Sequence, residues 1–287
     1  MEKSGTSEPP FGTFAPGHSL GRVIATTRRL PSGRIGRRVG RAMRSWLSRA
    51  VDHPVDLEVF GQRMRLHPRG NACERNLILT PHHFDSAELE LLSGRLHPRF
   101  VFIDIGANVG AYSLFIASRA GPQARIIAIE PHPVVAERLE FNLAANALTA
   151  VTVVRRALSD KQGEAELHAM PWNLGTSTIR AGERPHLKAT GFKVQTDTLL
   201  GVAGEAGLDH IDAIKLDIEG VEDLVLAAFY RDAPQGLWPS IVILENRPQR
   251  WERDLYGLLG QSGYRPVMTT RDNVIFERSG GQATVPG

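Results

Sequence analysis

Asp104-Ile105-Gly106-Ala107-Asn108-Val109-Gly110 is an acidic residue followed by a glycine loop, and Ile129-Glu130-Pro131 comes twenty residues after it. A third dense motif is Lys215-Leu216-Asp217-Ile218-Glu219-Gly220-Val221-Glu222, and Glu245 closes the run Ile241-Val242-Ile243-Leu244. The β-branched and aromatic run Phe100-Val101-Phe102-Ile103 ahead of the first motif reads as a strand buried on both faces of a parallel sheet. Glycines after such a strand let the backbone turn tightly and approach a ligand at the next helix N-terminus. With an acidic residue at the end of the next strand, this arrangement suits a nucleotide-type cofactor.

The loop departs from Gly-x-Gly-x-x-Gly, whose second glycine brings backbone against a pyrophosphate; Asn108 stands there, and Asp104 precedes Gly106 by two residues. A carboxylate at the loop suits a ligand with cationic groups, and S-adenosylmethionine carries both an ammonium and a sulfonium. Glu130 can accept both hydroxyls of its ribose. The bland alternative is a glycine turn with a capping Asp and no ligand.

In extended backbone, Lys215, Asp217 and Glu219 share one face, while Leu216 and Ile218 pack on the other. Ligands of open α/β sheets bind beyond the strand carboxyl ends at the topological switch point, so Asp104 and Asp217 should flank one crevice. Asp217, Glu219 and Glu245 together supply carboxylates enough for general base catalysis or for a hard divalent cation. Each also has a structural reading. Asp217 can pair with Lys215, Glu219 can cap a helix, and Glu245 can pair with Arg247 or Arg250. Glu222 reads as a first-turn helix charge. His132 stands either against adenine or, more simply, as an exposed cap histidine. His82-His83 lack a metal-ligand spacing and receive no role.

The elements that must hold these residues alternate strand and helix over residues 100–279. Strands are expected at 100–105, Arg125 to Glu130, Val151 to Arg155, Ile211 to Leu216 and Ser240 to Leu244, with Tyr264 to Met268 and Asn273 to Glu277 as a closing hairpin. Helices are expected from about Ala111 to Gly121-Pro122, from Pro133 to about Asn146, from near Val221, and over Glu252 to Gly260. Glu164 to Met170 and Phe192 to Gln195 read as short strands; Trp172 and Asn173 fall where no pattern fixes a structure.

Residues 53–99 form a lead-in, with a hairpin around Gly61-Gln62 and a helix capped by Asp85 and Glu88. Residues 1–52 form a basic tail, mobile over its first thirty or so, and residues 280–287 a second flexible tail. From Arg34, Ile35, Val39, Ala42, Met43, Trp46, Leu47 and Ala50 fall at helical spacing among arginines. This basic amphipathic helix, residues 34–50, suits peripheral contact with an anionic membrane, a transit peptide, or plain packing on the body.

Residues 1–50 carry one Lys and nine Arg against two Glu, a balance of +8, leaving 24 basic and 29 acidic residues, −5, in the remainder. No specific nucleic-acid partner is therefore expected of the body. The single cysteine, Cys73, excludes an internal disulfide and a multi-cysteine metal site and is compatible with the cytoplasm, and no apolar run is long enough to span a membrane.

Taken with Ala111-Tyr112-Ser113, Pro131-His132-Pro133 and Arg156-Ala157-Leu158-Ser159-Asp160, these motifs resemble the FkbM family of S-adenosylmethionine-dependent methyltransferases over residues 55–278. The resemblance implies an α/β class I methyltransferase fold, a Rossmann-like three-layer sandwich whose seven-stranded, mostly parallel sheet has the order 3-2-1-4-5-7-6 with strand seven antiparallel. It implies O-methylation of a sugar, glycan or specialised metabolite. By the same resemblance Asp104, Gly106, Ala107, Asn108 and Gly110 surround the methionine half of S-adenosylmethionine, Glu130 holds its ribose, and the Ala157-Leu158 turn borders adenine. Asp217 is then the first candidate for base or positioner, assisted by Lys215, Glu219 and Glu245. A nicotinamide-dependent oxidoreductase, a non-catalytic cofactor-binding module and an RNA methyltransferase are the competing readings. Asn108 and Asp104 speak against the first and the acidic body against the last.

Overall fold

Every residue of Val101–Ile105 is buried, as a strand with helices on both faces requires. It forms the middle of the main sheet in a computed structural model of the chain that describes residues 8–31, 33–170, 172–180 and 190–279. The order begins with helices α1 (His18–Thr27) and α2 (Arg34–Ala50), hairpin strands β1 (Val55–Val59) and β2 (Gln62–Leu66), then α3 (Ala72–Leu79) and α4 (Ser86–Ser93). Next come β3 (Val101–Ile105), α5 (Ala111–Ala120), β4 (Arg125–Ile129), α6 (Pro133–Ala144), β5 (Val151–Val154), β6 (Ala157–Leu158), β7 (Gly163–Met170), β8 (Asn173–Thr178) and β9 (Thr190–Asp197). The chain continues through α7 (Leu199–Glu205), β10 (Ala213–Leu216), α8 (Glu222–Asp232), β11 (Ile241–Glu245), α9 (Leu255–Gln261), β12 (Tyr264–Thr269) and β13 (Asn273–Arg278).

The main sheet runs β5-β4-β3-β10-β11-β13-β12, which by order of appearance is 3-2-1-4-5-7-6. β13 lies antiparallel to β11 and β12, and the other pairs are parallel. The order turns between β3 and β10, where Asp104 pairs in register with Lys215. Alternation sorts the side chains. Ile103, Ile105, Ile214 and Leu216 pack with Val225 and Phe229 of α8 and Leu259 of α9. Phe102, Ile126 and Ile243 pack on the other face with Leu92 of α4 and Tyr112 and Ile116 of α5. Asp104 and Lys215 therefore belong to the face covered by α4 and α5.

Several elements depart from expectation. Residues 18–27, expected to lack regular structure, form α1: Ile24 is buried, and Arg28 just beyond donates to the carbonyls of Leu77 (3.3 Å), Ile78 (3.0 Å) and Glu58 (2.9 Å). α2 packs through Gly36, Gly40 and Leu47. Upstream, Arg65 is 1% exposed, forks onto Asp56 at 2.8 and 2.9 Å and donates to the carbonyls of Pro9 (2.7 Å) and Pro10 (2.9 Å). Asp56 in turn accepts from the N–H of Gly12 (2.7 Å) and Phe14 (3.1 Å), so both buried charges are paired.

Asp85 does not cap α4 with its side chain; its backbone is left-handed (φ +39°), and its carboxylate accepts from the Tyr112 hydroxyl at 3.0 Å. Glu88 accepts from Thr270 and Asn273 in the final hairpin instead of closing a capping box. Residues 173–178 are a strand, β8, in a separate four-stranded sheet ordered β6-β9-β7-β8. Ala157–Leu158, expected as a turn, is the short strand β6, paired with β9. Among the described residues no helix is long and apolar enough to cross a membrane.

Candidate active site

Tight backbone approach fixes the loop after β3. Gly106 and Gly110 are left-handed (φ +80° and +90°), and the N–H groups of Gly106 and Ala107 both donate to the Ile129 carbonyl at 3.0 Å. On the other side the N–H of Asp217 donates to the Ile105 carbonyl at 3.0 Å. Asn108 is also left-handed (φ +52°), a conformation Asn tolerates better than most residues. Its N–H donates to Glu130 Oε2 at 2.9 Å, and its side-chain oxygen accepts from Asn71 Nδ2 at 2.7 Å. Three loop N–H groups are thus committed to protein acceptors, which leaves them unsuited to a pyrophosphate.

Glu130 sits between Asn108 and His132, accepting from the backbone N–H of each at 2.9 Å. Burial pushes its pKa up to about 7 against the pull of those two donors. His132 is 4% exposed, not the exposed cap expected; its ring meets Phe192 edge-on at 5.0 Å, and burial lowers its pKa. Ala157 and Leu158 are buried, Leu158 within the cluster under α7 to α9.

Asp104 is 1% exposed, and its Oδ2 accepts from the Ser113 N–H (3.2 Å) and hydroxyl (2.7 Å) at the start of α5. It shapes the loop from beneath, and burial raises its pKa. Lys215 is 4% exposed, donates to Asp217 Oδ2 at 3.1 Å, and lies 5.1 Å from the centre of the Tyr112 ring. Burial works against its charge, but Asp217, Asp104 and Asp85 outweigh that penalty and raise its pKa above the ordinary value. The Lys215–Asp217 ion pair foreseen as the structural alternative is present. Asp217 nevertheless keeps 41% of its side chain exposed, so it is anchored on one side and open on the other.

Glu219 does not continue the alternation of Lys215 and Asp217. Its backbone is left-handed (φ +57°), and its carboxylate is bonded to Arg250, which also stands 3.5 Å from Glu245. Arg247 reaches Glu245 at 3.1 Å. Burial, then Asp217 and Glu245, push the Glu219 pKa up to about 7, with Arg250 opposing; the Glu245 pKa is raised chiefly by burial. Among the described residues no three His, Cys, Asp or Glu side chains form a group that could hold a metal ion, and Arg250 is paired with Glu219 and Glu245, two of the three carboxylates offered to a divalent cation. Glu222 opens α8 and ties the turn, accepting from the N–H of Ile218 and Gly220 at 3.0 Å and from Trp251 Nε1 at 3.0 Å.

Sequence reasoning missed Asn71, Asp85 and Trp251 as parts of this site, which long-range packing brings in. Arg250 was foreseen as a partner of Glu245 but not of Glu219.

The donors at the strand ends are carboxylates, with Glu130 between two loops and Asp217 open to the cleft. That set fits a cofactor carrying ribose hydroxyls and positive charge. Residues 104–265 match the Methyltransferase FkbM domain, more than half of the chain. The chain belongs to the FkbM methyltransferase family. The matched stretch begins at Asp104 and contains Glu130, Lys215, Asp217, Glu219 and Glu245. Over 177 residues the chain is 34% identical to methyltransferase sdnD of Sordaria araneosa, covering 52% of this chain and 65% of that one. Over 143 residues it is 31% identical to the 2-O-methyltransferase NoeI of Sinorhizobium fredii (strain NBRC 101917 / NGR234), covering 45% and 57%. The chain spans at most 65% of the length of the curated relatives it matches. A methyltransferase structure from Geobacter sulfurreducens is similar at 13% identity and a TM-score of 0.43, covering 92% of this chain and 98% of that one. This FkbM domain holds the loop and the Lys215–Asp217 pair at the turn in strand order, with Glu130 at the end of the neighbouring β4.

Proposed function

We propose that the chain is an S-adenosylmethionine-dependent O-methyltransferase acting on a hydroxyl of a sugar, glycan or other specialised metabolite. The observation that carries this is Asp217: a half-exposed carboxylate at the switch point, pinned by Lys215 and hydrogen-bonded through its N–H to the strand that leads into the cofactor loop. The similarity to NoeI, a 2-O-methyltransferase, supports an oxygen acceptor.

Bound S-adenosylmethionine supplies a methyl already made electrophilic by its sulfonium, so the protein's work is positioning, proton removal and exclusion of water. Glu130 accepts the ribose hydroxyls on the lone pairs not used by Asn108 and His132. Asp217 would hold the acceptor hydroxyl and take its proton on a carboxylate oxygen while the methyl passes from sulfur to that oxygen, the sulfur–carbon electron pair staying with S-adenosylhomocysteine. Lys215 keeps that carboxylate aimed, while Glu219, Glu245 and Arg250 form the wall beside it. An acceptor screen with labelled S-adenosylmethionine, comparing saccharides, lipid-linked glycans and RNA, tests the reading. Label transferred to RNA alone overturns it, and transfer to none of them while S-adenosylhomocysteine binds overturns the sugar and glycan acceptors.

Peripheral contact with an anionic membrane through residues 34–50 is supported by a second observation. α2 packs with one side and turns Ile35 (78% exposed), Val39 (41%) and Trp46 (42%) outward among its arginines.

A further inference from the structure

A cavity of about 640 Å³ lies between α2, the segment from Thr80 to Glu88, and the turn joining β12 to β13. Its wall is cationic. Arg37, Arg41 and Arg44 recur at helical spacing along the side of α2 that faces it, and Arg271 faces them from the hairpin turn. Arg44 is held in place by the Thr80 hydroxyl at 3.1 Å. Burial and the like charges of Arg41, Arg75 and Arg271 lower its pKa, the mark of cations crowded together. His82 Nδ1 and His83 Nε2, both on lining residues, are buried without a hydrogen-bond partner among the described residues.

The acidic residues of the lining are already engaged. Glu88 accepts from Thr270 and Asn273, Asp272 stands 3.8 Å from Arg271, and Asp85 accepts from Tyr112. Asp85 also contacts the buried side chains that back Asp217. Its partner Tyr112 lies against Lys215, and Lys215 holds Asp217.

We propose that this cavity binds an anionic oxyacid group, a phosphate above all, through Arg37, Arg41 and Arg44. The anion site does not rest on the O-methyltransferase reading. Guanidinium pairs recognise phosphate bidentately, and the two histidine nitrogens offer further donors or acceptors to the same group. A soluble sugar phosphate and a lipid phosphate present the same chemistry.

Calorimetry on the full chain with inorganic phosphate, glucose 6-phosphate and phosphatidic acid vesicles tests the site, alongside S-adenosylhomocysteine. Phosphate should bind the native chain, and Arg37→Ala/Arg41→Ala should weaken it about tenfold or more. Arg38→Ala, which removes a charge from α2 away from the cavity, should change it less than about twofold. Binding of glucose 6-phosphate, or of vesicles alone, that is lost in the double variant assigns the source as soluble or lipid and supports the site in either case. Binding of none of the three phosphate probes, or equal weakening by the Arg38 and double variants, overturns it. Phosphate binding without S-adenosylhomocysteine binding leaves the anion site standing and removes the methyltransferase reading.

Discussion

Gly106 lies against Asp217 so closely that a Cβ on the glycine would come within 2.1 Å of the Asp217 carbonyl oxygen. The obstacle is backbone, which cannot swing aside, and the glycine is at φ +80°. The cofactor loop and the presumed base are therefore two edges of one contact. Gly106→Ala should cost several kcal/mol of stability and abolish S-adenosylhomocysteine binding. Thermal unfolding with and without the ligand checks it; a ligand-induced rise in Tm equal to the native one would refute the coupling.

Asp217→Asn keeps the shape of the side chain but not its basicity. Turnover should fall on the order of 10² to 10⁴-fold, with S-adenosylhomocysteine affinity changed little. Single-turnover transfer measured beside a binding titration separates the two effects, and full turnover would remove Asp217 from proton transfer.

Lys215→Met leaves Asp104, Asp217 and Asp85 near one another without their shared cation. Removing one partner of buried charges typically costs about 3–5 kcal/mol. Denaturant unfolding should show a loss of that order at neutral pH, and a smaller one when Asp217→Asn is combined with it.

Glu130→Gln sets an amide NH₂ against a backbone N–H, because both carboxylate oxygens already accept from Asn108 and His132. The unmade hydrogen bond costs about 1–3 kcal/mol of stability, and loss of the charged acceptor for the ribose should make S-adenosylhomocysteine bind roughly tenfold or more weakly. Equal affinity in the two proteins would place the ribose elsewhere.

Glu130 and Glu219 both hold pKa values of about 7 by burial, above the unfolded carboxylate value of 4.5. The folded chain then binds more protons than the unfolded chain between those limits, so their stabilising contribution is full below 4.5 and is lost as pH rises through 7. His67, lowered to about 4 by burial from 6.5, acts in the opposite direction below 6.5. Stability should therefore fall as pH rises from about 4.5 to 7, most steeply near 6.5 to 7 where His67 no longer opposes, and Glu219→Gln should flatten that fall; an unchanged slope would contradict it.

Replacing Ile35, Val39 and Trp46 by Ser removes apolar area from the outward side of α2 without touching Gly36, Gly40 or Leu47. Pelleting with anionic vesicles should drop severalfold. Equal pelleting of both proteins would dismiss the membrane contact.

The parts of the site carried by local pattern were legible. Buried β-branched runs located the strands, and the spacing of Lys215 and Asp217 put them on one face because that backbone is extended. Glu219 broke the same rule because the chain turns left-handed at that residue, a change no alternation pattern records. β8 escaped notice since Asn173, Gly175 and Thr176 carry no apolar period; Gly70 and Ala72, a hundred residues earlier, hold it by accepting from Leu174 N–H and donating to Asn173 Oδ1. The Asp85–Tyr112 bond and the Arg250 bridge are likewise products of packing between distant segments.

The clamp of Arg65 and Asp56 on residues 9–14 changes how this protein should be cut. A fragment beginning at residue 52 would discard the carbonyls of Pro9 and Pro10 and the N–H groups of Gly12 and Phe14, and would strip Ile24 and Leu47 from the apolar cluster they share with Leu57, Leu77 and Ile78. What looks by composition like a dispensable leader is a lining sewn into the lead-in. Deleting it to ask about membranes or partners would answer a question about folding instead.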